Sequence, residues 1–162
     1  MQHNVRRIVT GHDAQGKAIF KDDTVHEMEN INNGEAWFAK LWTTNVMPAD
    51  DNNSAVDGAT RLTGLTMSNG TVLRVVDMPP HGRSPMHRTS SVDYGIVLQG
   101  EVHLELDEGK SVKLLPGDVV VQRGTIHAWE NKTDQFARMA FVLVDAKPAV
   151  VNGVELLPAH HD

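Results

Sequence analysis

Apolar and polar residues alternate over short segments in the second half of the chain. The clearest case is the segment 101–106, in which Val102, Leu104 and Leu106 are separated by charged or polar residues. Successive side chains of a β-strand point to opposite faces, so a period of two predicts a strand with one buried face. The strand is predicted to end at Asp107-Glu108-Gly109, which has the composition of a turn.

The same pattern predicts an all-β domain from Thr71 onward, because helical periodicity is weak throughout. Short segments rich in β-branched residues are separated by Gly, Pro and Asp, which is typical of a sandwich or a barrel of the jelly-roll type. Further strands are predicted at 71–77, 94–98, 111–115, 119–122, 127–130 and 138–144.

The chain divides into three parts on the same reasoning. Residues 1–48 predict N-terminal strands, with a hairpin connection over the Gly- and Asp-bearing segment 11–17. A polar loop follows at 47–54, and the main barrel is placed at residues 70–145. Residues 146–162 predict a surface tail with one short strand, whose histidines, His160 and His161, are expected to be inert.

Composition narrows the classes of function. The 162 residues are 40% apolar and 22% charged, which indicates one globular domain. The chain has no cysteine, so disulfides, thiolate metal ligands and a cysteine nucleophile are excluded. A net charge of −6 argues against binding to nucleic acid or an anionic membrane. The N-terminal residues lack the apolar stretch of a secretory signal, so we expect a cytoplasmic protein.

The candidate chemistry lies in two separate strand-rich segments. His87 and Asp93 stand in the first segment and His127 in the second. Two imidazoles and a carboxylate can form a metal site with open coordination positions, provided that the fold brings them together. In a small barrel, inward-facing residues of distant strands meet in one cavity. Thr89 shares a strand face with His87, and Trp129 shares one with His127.

These segments resemble the two sequence motifs of the cupin superfamily, in the same order. The first family motif has two histidines one residue apart, then a glutamate, then a glycine seven residues later. With Gly100 as that glycine, the glutamate position is Asp93, and the histidine positions are His87 and Thr89. The second motif has a histidine and, four residues later, an asparagine; His127 and Asn131 match both.

The resemblance implies a single cupin double-stranded β-helix, which is a jelly-roll barrel, with an N-terminal strand arm. It also implies one divalent metal ion, with Fe, Mn, Zn, Ni and Co all open, held by His87, Asp93 and His127. Thr89 and Trp129 would then shape the substrate pocket. Arg123, which stands where the family has a proline-containing turn, would bind an anionic substrate at the rim.

Several functions are compatible with such a site. The first is a metal-dependent enzyme that acts on a small oxygen-rich molecule, either as an oxygenase or as an isomerase, decarboxylase or lyase that stabilises an enolate. The alternative is a non-catalytic cupin that binds a small molecule through a degenerate metal site. A structural or storage role with a decayed site is a third reading, which Thr89 favours. No catalytic residue is assigned by the sequence.

Cupin barrels commonly pair through an N-terminal strand. Trp37, Phe38 and Trp42 provide apolar material for such a contact in the predicted N-terminal arm. We therefore expect a homodimer.

Overall fold

The computed structural model describes residues 2–161, except for the side chain of His161. The regular secondary structure of this part of the chain consists of β-strands, apart from two short 3-10 helices at Gly58–Thr60 and Asp107–Gly109. No helix within it is long and apolar enough to cross a membrane. The strands are β1 (Asn4–His12), β2 (Ala18–Glu27), β3 (Glu29–Ile31), β4 (Ala36–Thr44), β5 (Thr71–Met78), β6 (Met86–Arg88), β7 (Ser91–Gln99), β8 (Val102–Glu105), β9 (Ser111–Leu114), β10 (Val119–Arg123), β11 (Ala128–Glu130), β12 (Ala137–Asp145), β13 (Ala149–Val151), β14 (Val154–Leu156) and β15 (Ala159–His161).

Two antiparallel sheets form the body of the fold. The larger has six strands in the order β10-β7-β12-β5-β4-β3, and the smaller has three in the order β11-β8-β9. Single bridges link the β11 end of the small sheet to the segment around β6, at Arg83–Glu130 and His87–His127. Within residues 2–161 the strand pairing does not close around the barrel. The predicted all-β, jelly-roll fold is confirmed. The main core consists of Val76, Met78, Val97, Val102, Leu104, Leu114, Trp129, Ala137 and Met139.

Strand β5 is largely buried on both faces, which agrees with a sequence that has apolar residues at both odd and even positions. Val76 and Met78 face the main core. Val75 faces the other way, into a second core with Met28 and other residues of the N-terminal segment. The two faces of this strand therefore sit in different environments, and the N-terminal segment covers the outer one.

The N-terminal segment is continuous with the large sheet. β4 pairs with β5 from the Trp37–Asp77 register position to the Thr44–Thr71 position. β1 and β2 form a separate hairpin, as predicted from the turn composition of residues 11–17.

The C-terminal tail differs from the expectation of one short strand. β13 and β14 pair around the turn at Asn152-Gly153. β15 pairs with β6, which places His160 directly opposite His87. The tail is therefore a part of the barrel end and covers one edge of β6.

Asp77 connects the outer face of β5 to two other parts of the chain. Its side chain is fully buried and accepts hydrogen bonds from Arg138 at 2.5 and 2.7 Å. Its Oδ2 also lies 2.8 Å from Nδ1 of His3. The His3 ring in turn stacks on Trp37, with ring centroids 4.1 Å apart. This carboxylate therefore ties the N-terminus and β12 to β5.

We predict that Asp77→Ala lowers the free energy of unfolding by about 3 kcal/mol, because the Arg138 guanidinium keeps its burial and loses its counter-charge. Urea denaturation measures the change. The matched control is Asp23→Ala, which breaks the well-exposed pair between Asp23 and Arg6 and should leave the stability unchanged within error. Equal losses in the two variants would contradict the importance of the buried pair.

Candidate functional site

A cavity of about 240 Å³ lies between the sheets at the end of the barrel where β6 meets β11. β5, β7 and β12 of the large sheet form one side of it, and the loop between β3 and β4 lies along it. The wall is mostly apolar, with polar groups at a few positions, which is the usual composition of a small-molecule site. The side chains used below are Phe38, Arg74, His87, Thr89, Asp93, His127, Trp129 and Phe141.

His87 and His127 are held side by side by the backbone. Each donates its main-chain N–H to the carbonyl of the other, at 2.9 Å in both directions. Residues paired in this way in an antiparallel ladder present their side chains on one face. The two imidazole rings accordingly lie with centroids 4.2 Å apart, at an interplanar angle of 48°.

The two rings have the same orientation relative to their own strands. Nδ1 of His87 lies 2.9 Å from the carbonyl of Pro85, and Nδ1 of His127 lies 3.0 Å from the carbonyl of Thr125. A carbonyl oxygen can only accept, so each Nδ1 carries a proton. The neutral form of either ring then has its lone pair on Nε2, for which the described side chains and backbone provide no hydrogen-bond partner.

Burial keeps the His127 ring uncharged. Only 2% of the residue is exposed. Desolvation lowers the pKa of His127 to about 4, with a smaller lowering by the charge of His87, against an opposing effect of the Thr125 hydrogen bond. At neutral pH this ring is therefore a neutral base whose Nε2 can accept a proton or bind a metal ion.

Asp93 lies on the same wall, at the end of a short hydrogen-bond chain. Its Oδ1 lies 2.5 Å from the hydroxyl of Ser91, which is 2.8 Å from the hydroxyl of Thr89. Ser91 has one hydroxyl proton, so it donates in one contact and accepts in the other. Burial raises the pKa of Asp93, and the Ser91 hydrogen bond and the charges of His87 and Arg74 oppose that rise.

The donor groups fit a divalent cation in part. His87 and His127 offer two imidazole nitrogens of the kind that first-row metals prefer. Among the described side chains, which do not include that of His161, however, no three His, Asp or Glu residues converge as a metal-binding group. Asp93 is a wall residue with its carboxylate hydrogen-bonded to Ser91, and it does not complete a set of three in this arrangement. The protein therefore presents two ligands and a nearby carboxyl group.

Comparisons with known proteins decide the family. A family model described as a cupin domain matches residues 74–144. The phomopsin biosynthesis cluster protein C' of Diaporthe leptostromiformis is 40% identical over 154 residues, which are 91% of this chain and 82% of that protein. The cupin-domain-containing oxidoreductase virC of Hypocrea virens is 39% identical over 158 residues, which are 93% and 81% of the two chains. The chain belongs to the cupin superfamily.

A solved structure supports the fold of this cupin independently. The polyketide cyclase RemF of Streptomyces resistomycificus aligns with a TM-score of 0.53 and 24% sequence identity. The alignment covers 82% of this cupin and 86% of the cyclase. At that identity the similarity concerns the fold.

Most of the side chains that the sequence nominated line the cavity of this cupin. They are His87, Thr89, Asp93, His127 and Trp129. Arg123 is the exception, because its side chain is exposed and lies outside the cavity wall. On β10 it has the same parity as the exposed residues Val119 and Val121, whereas the buried Gln122 points inward. The expected contact of Arg123 with an anionic substrate stays a prediction, and this position outside the cavity wall does not favour it.

Two residues near the site were not predicted from the sequence. Arg74 lies on β5 and lines the cavity. The sequence does contain a sign of this position, because Arg74 is a charged residue on the same strand face as the buried Val72 and Val76. His160 has no local signal, because its position depends on the pairing of β15 with β6. Its ring stacks beside His87 at a centroid distance of 6.2 Å, so the expectation of an inert tail histidine is wrong in placement.

Asn131 of the second motif has a structural role. It is fully buried, and its side-chain amide donates to the carbonyls of Pro79 and Gln135 at 2.9 and 2.7 Å. Its Oδ1 accepts from the backbone and hydroxyl of Thr133. These bonds fix the turn after β11 to the segment that leads from β5 to the cavity rim.

We predict that the neutral His127 makes the stability of the metal-free protein depend on pH between about 4 and 6.5. The pKa of His127 is lowered in the folded state, so the unfolded chain binds the extra proton in this interval. Its contribution is complete above pH 6.5 and is lost as the pH falls toward 4. The shift corresponds to about 3 kcal/mol.

Chemical denaturation of chelator-treated wild type and His127→Gln at several pH values measures this contribution. The difference between the two proteins should shrink as the pH falls through the interval. His103→Gln is the control, because His103 lies outside the cavity and pairs with Glu101. A difference between wild type and His127→Gln that stays constant with pH would contradict the prediction.

Proposed function

We propose that this cupin is a metal-dependent oxidoreductase that acts on a small, oxygen-bearing molecule with a largely apolar body. The observation that carries the proposal is the pair of imidazoles with free Nε2 atoms on the wall of an apolar cavity. The relatives named as cupin-domain-containing oxidoreductases support the redox class. The biosynthesis-cluster names of other relatives support a small-molecule substrate.

In this proposal His87 and His127 hold one divalent metal ion through Nε2. Asp93 is the third ligand, either directly or through a water molecule, because aspartate is one methylene shorter than the family's glutamate. A metal ion bound there supplies a Lewis acid for the substrate oxygens and, if it is redox-active, a route for electrons to O₂. The hydrogen bonds from the ring Nδ1 atoms to backbone carbonyls keep the rings oriented for this task.

The other wall residues orient the substrate and exclude water. Trp129 contacts Phe141 edge to face, with ring centroids 5.3 Å apart, and the two rings present aromatic surface to the cavity. Gly95 makes room for them, since a Cβ there would come within 3.1 Å of Phe141 and 3.4 Å of Trp129. In the metal-free protein burial raises the pKa of Asp93, whereas as a metal ligand its carboxylate would be deprotonated.

A non-catalytic ligand-binding role is the second candidate. The observation that favours it is the absence of a three-ligand metal group within residues 2–161. On this reading the cavity binds its ligand equally well with and without metal, and no turnover follows. Metal content and oxygen uptake therefore separate the two functions.

We also propose that the protein forms a homodimer through the β1–β2 hairpin. This hairpin exposes apolar side chains, of which Phe20 is 77% exposed and Val25 61%. The aromatic residues that the sequence suggested for the contact are engaged within the chain instead. Trp37 stacks on His3, Phe38 lines the cavity and Trp42 donates to Asp51.

We predict that protein purified without chelator carries about one metal ion per chain. His87→Ala and His127→Ala should each lose most of that metal, because one imidazole cannot hold the ion alone. Elemental analysis gives the metal content, and oxygen uptake with a panel of β-diketones and catechols tests the redox activity of the iron-loaded protein.

The matched control is His103→Ala, which removes an imidazole outside the cavity and should keep the metal. Equal metal content in wild type and all three variants would remove the metal-dependent proposal. Metal loss without any oxygen uptake by the wild type would leave the oxygenase reading unsupported and favour the isomerase, decarboxylase or lyase classes.

For the homodimer, sedimentation velocity at micromolar concentration should give twice the chain mass. Phe20→Asp should shift the distribution toward the monomer, because it places a charge in the apolar contact. Leu62→Asp is the control, since Leu62 is 95% exposed and lies outside the hairpin. A monomeric wild type would contradict the proposal.

A further inference from the structure

Arg74 is a buried cation without a carboxylate partner. Only 8% of the residue is exposed, and its side chain lines the cavity. Nη2 donates to the carbonyls of Gly64 and Leu65 at 3.1 and 2.7 Å. Nε is buried and has no hydrogen-bond partner among the described residues, which is also true of the Nε atoms of Arg7 and Arg88. No Asp or Glu oxygen of the described residues lies within salt-bridge distance of this guanidinium.

Three other arginines with well-covered side chains are paired with carboxylates, whereas the partly buried Arg88 has no such partner among the described residues and does not line the cavity. Arg7 pairs with Asp57 and Asp22, Arg61 with Asp51, and Arg138 with Asp77. Burial of a guanidinium is costly unless a counter-charge and hydrogen bonds compensate for lost water. Arg74 therefore differs from this set because it lines the mostly apolar cavity beside His87 and His127 and has no salt bridge among the described residues.

We infer that Arg74 binds the carboxylate of the substrate, so that the substrate class is a small monocarboxylate with a planar, largely apolar body. A guanidinium with free donors matches the two oxygens of a carboxylate in a bidentate contact. Phe38, whose ring centroid lies 5.6 Å from Cζ of Arg74, together with Trp129 and Phe141, offers aromatic surface for the body of such a molecule.

The position of Arg74 relative to the histidines sets the orientation of the ligand. Asp93, His87 and His127 line the same cavity as Arg74. A carboxylate held at Arg74 would therefore leave the rest of the molecule in the space that these side chains border. The inference rests on the proposed function for the identity of this cavity as the substrate site.

The test uses chelator-treated protein, so that no ligand carboxylate can bind through a metal ion. Isothermal titration compares trans-cinnamate with its neutral isostere cinnamamide as probes. Wild type should bind cinnamate at least about tenfold more tightly than the amide, because only the acid supplies the missing counter-charge. Arg74→Met should remove this preference, while its affinity for the amide should stay within about threefold of wild type.

Arg123→Met is the matched control, because it removes one exposed positive charge outside the cavity and should keep the preference for cinnamate. Arg74→Gln, which can still donate to the Gly64 and Leu65 carbonyls, gives the same readout should the methionine variant fail to fold. A wild type without preference for the acid, or an Arg74 variant that keeps it, overturns the inference.

This outcome is separable from the failure of the proposed function. Metal content and oxygen uptake depend on His87 and His127, whereas the acid preference is measured without metal on variants of Arg74. A carboxylate preference in a protein that binds no metal would retain the substrate class and leave the non-catalytic role. Metal-dependent oxygen uptake without that preference would retain the enzyme and reject the carboxylate.

Discussion

Two reciprocal backbone hydrogen bonds between His87 and His127 hold together the end of the barrel that contains the cavity. β6 belongs to neither the six-stranded nor the three-stranded sheet, and it pairs with the C-terminal strand β15. The bridge links this segment to the small sheet and places the two side chains on one face. Because the bonds join main chains, the geometry of the pair is independent of the side chains, whereas its chemistry depends on them.

Burial then gives the ionisable groups of the cavity their properties. It keeps His127 neutral and raises the pKa of Asp93. Two charged residues of β5 show that the effect of burial differs between the two faces of one strand. Asp77, on the outer face, is fully buried and paired with Arg138, while Arg74, on the inner face, is buried and has no salt bridge among the described residues. Two charges three residues apart thus differ because one faces a packed interior and the other faces a cavity.

The sequence predicted what depends on local pattern or on motif spacing. The period of two located β8, and the cupin motifs nominated His87, Asp93 and His127, which all reach the cavity wall. Features that depend on pairing between distant segments were not predictable in this way. The register of β15 on β6, which brings His160 beside His87, leaves no periodic signal in either short segment.

Arg74 and Arg123 show the same limit at the level of single residues. The sequence favoured Arg123 as the anion-binding residue because it stands in a motif turn, yet strand parity directs it to solvent. Arg74 has the parity of buried residues, but a charge in an apolar strand can equally face the outer surface, as Asp77 does with its own partner. Arg74 and Asp77 differ in whether their face of β5 borders a cavity or a packed core, and this is known only once the strands are assembled.

Thr89, which stands where the family motif has a histidine, changes the groups available at this site in two ways. It removes one nitrogen ligand, and it supplies a hydroxyl to the chain that runs through Ser91 to Asp93. A site with fewer protein ligands leaves more coordination positions to be filled by the substrate. In the proposed function the substrate would fill these positions, and a second anchor at a distance from the metal would fix the direction of the substrate body. Arg74 lines the same cavity as Thr89, and its guanidinium is the group proposed for that anchor.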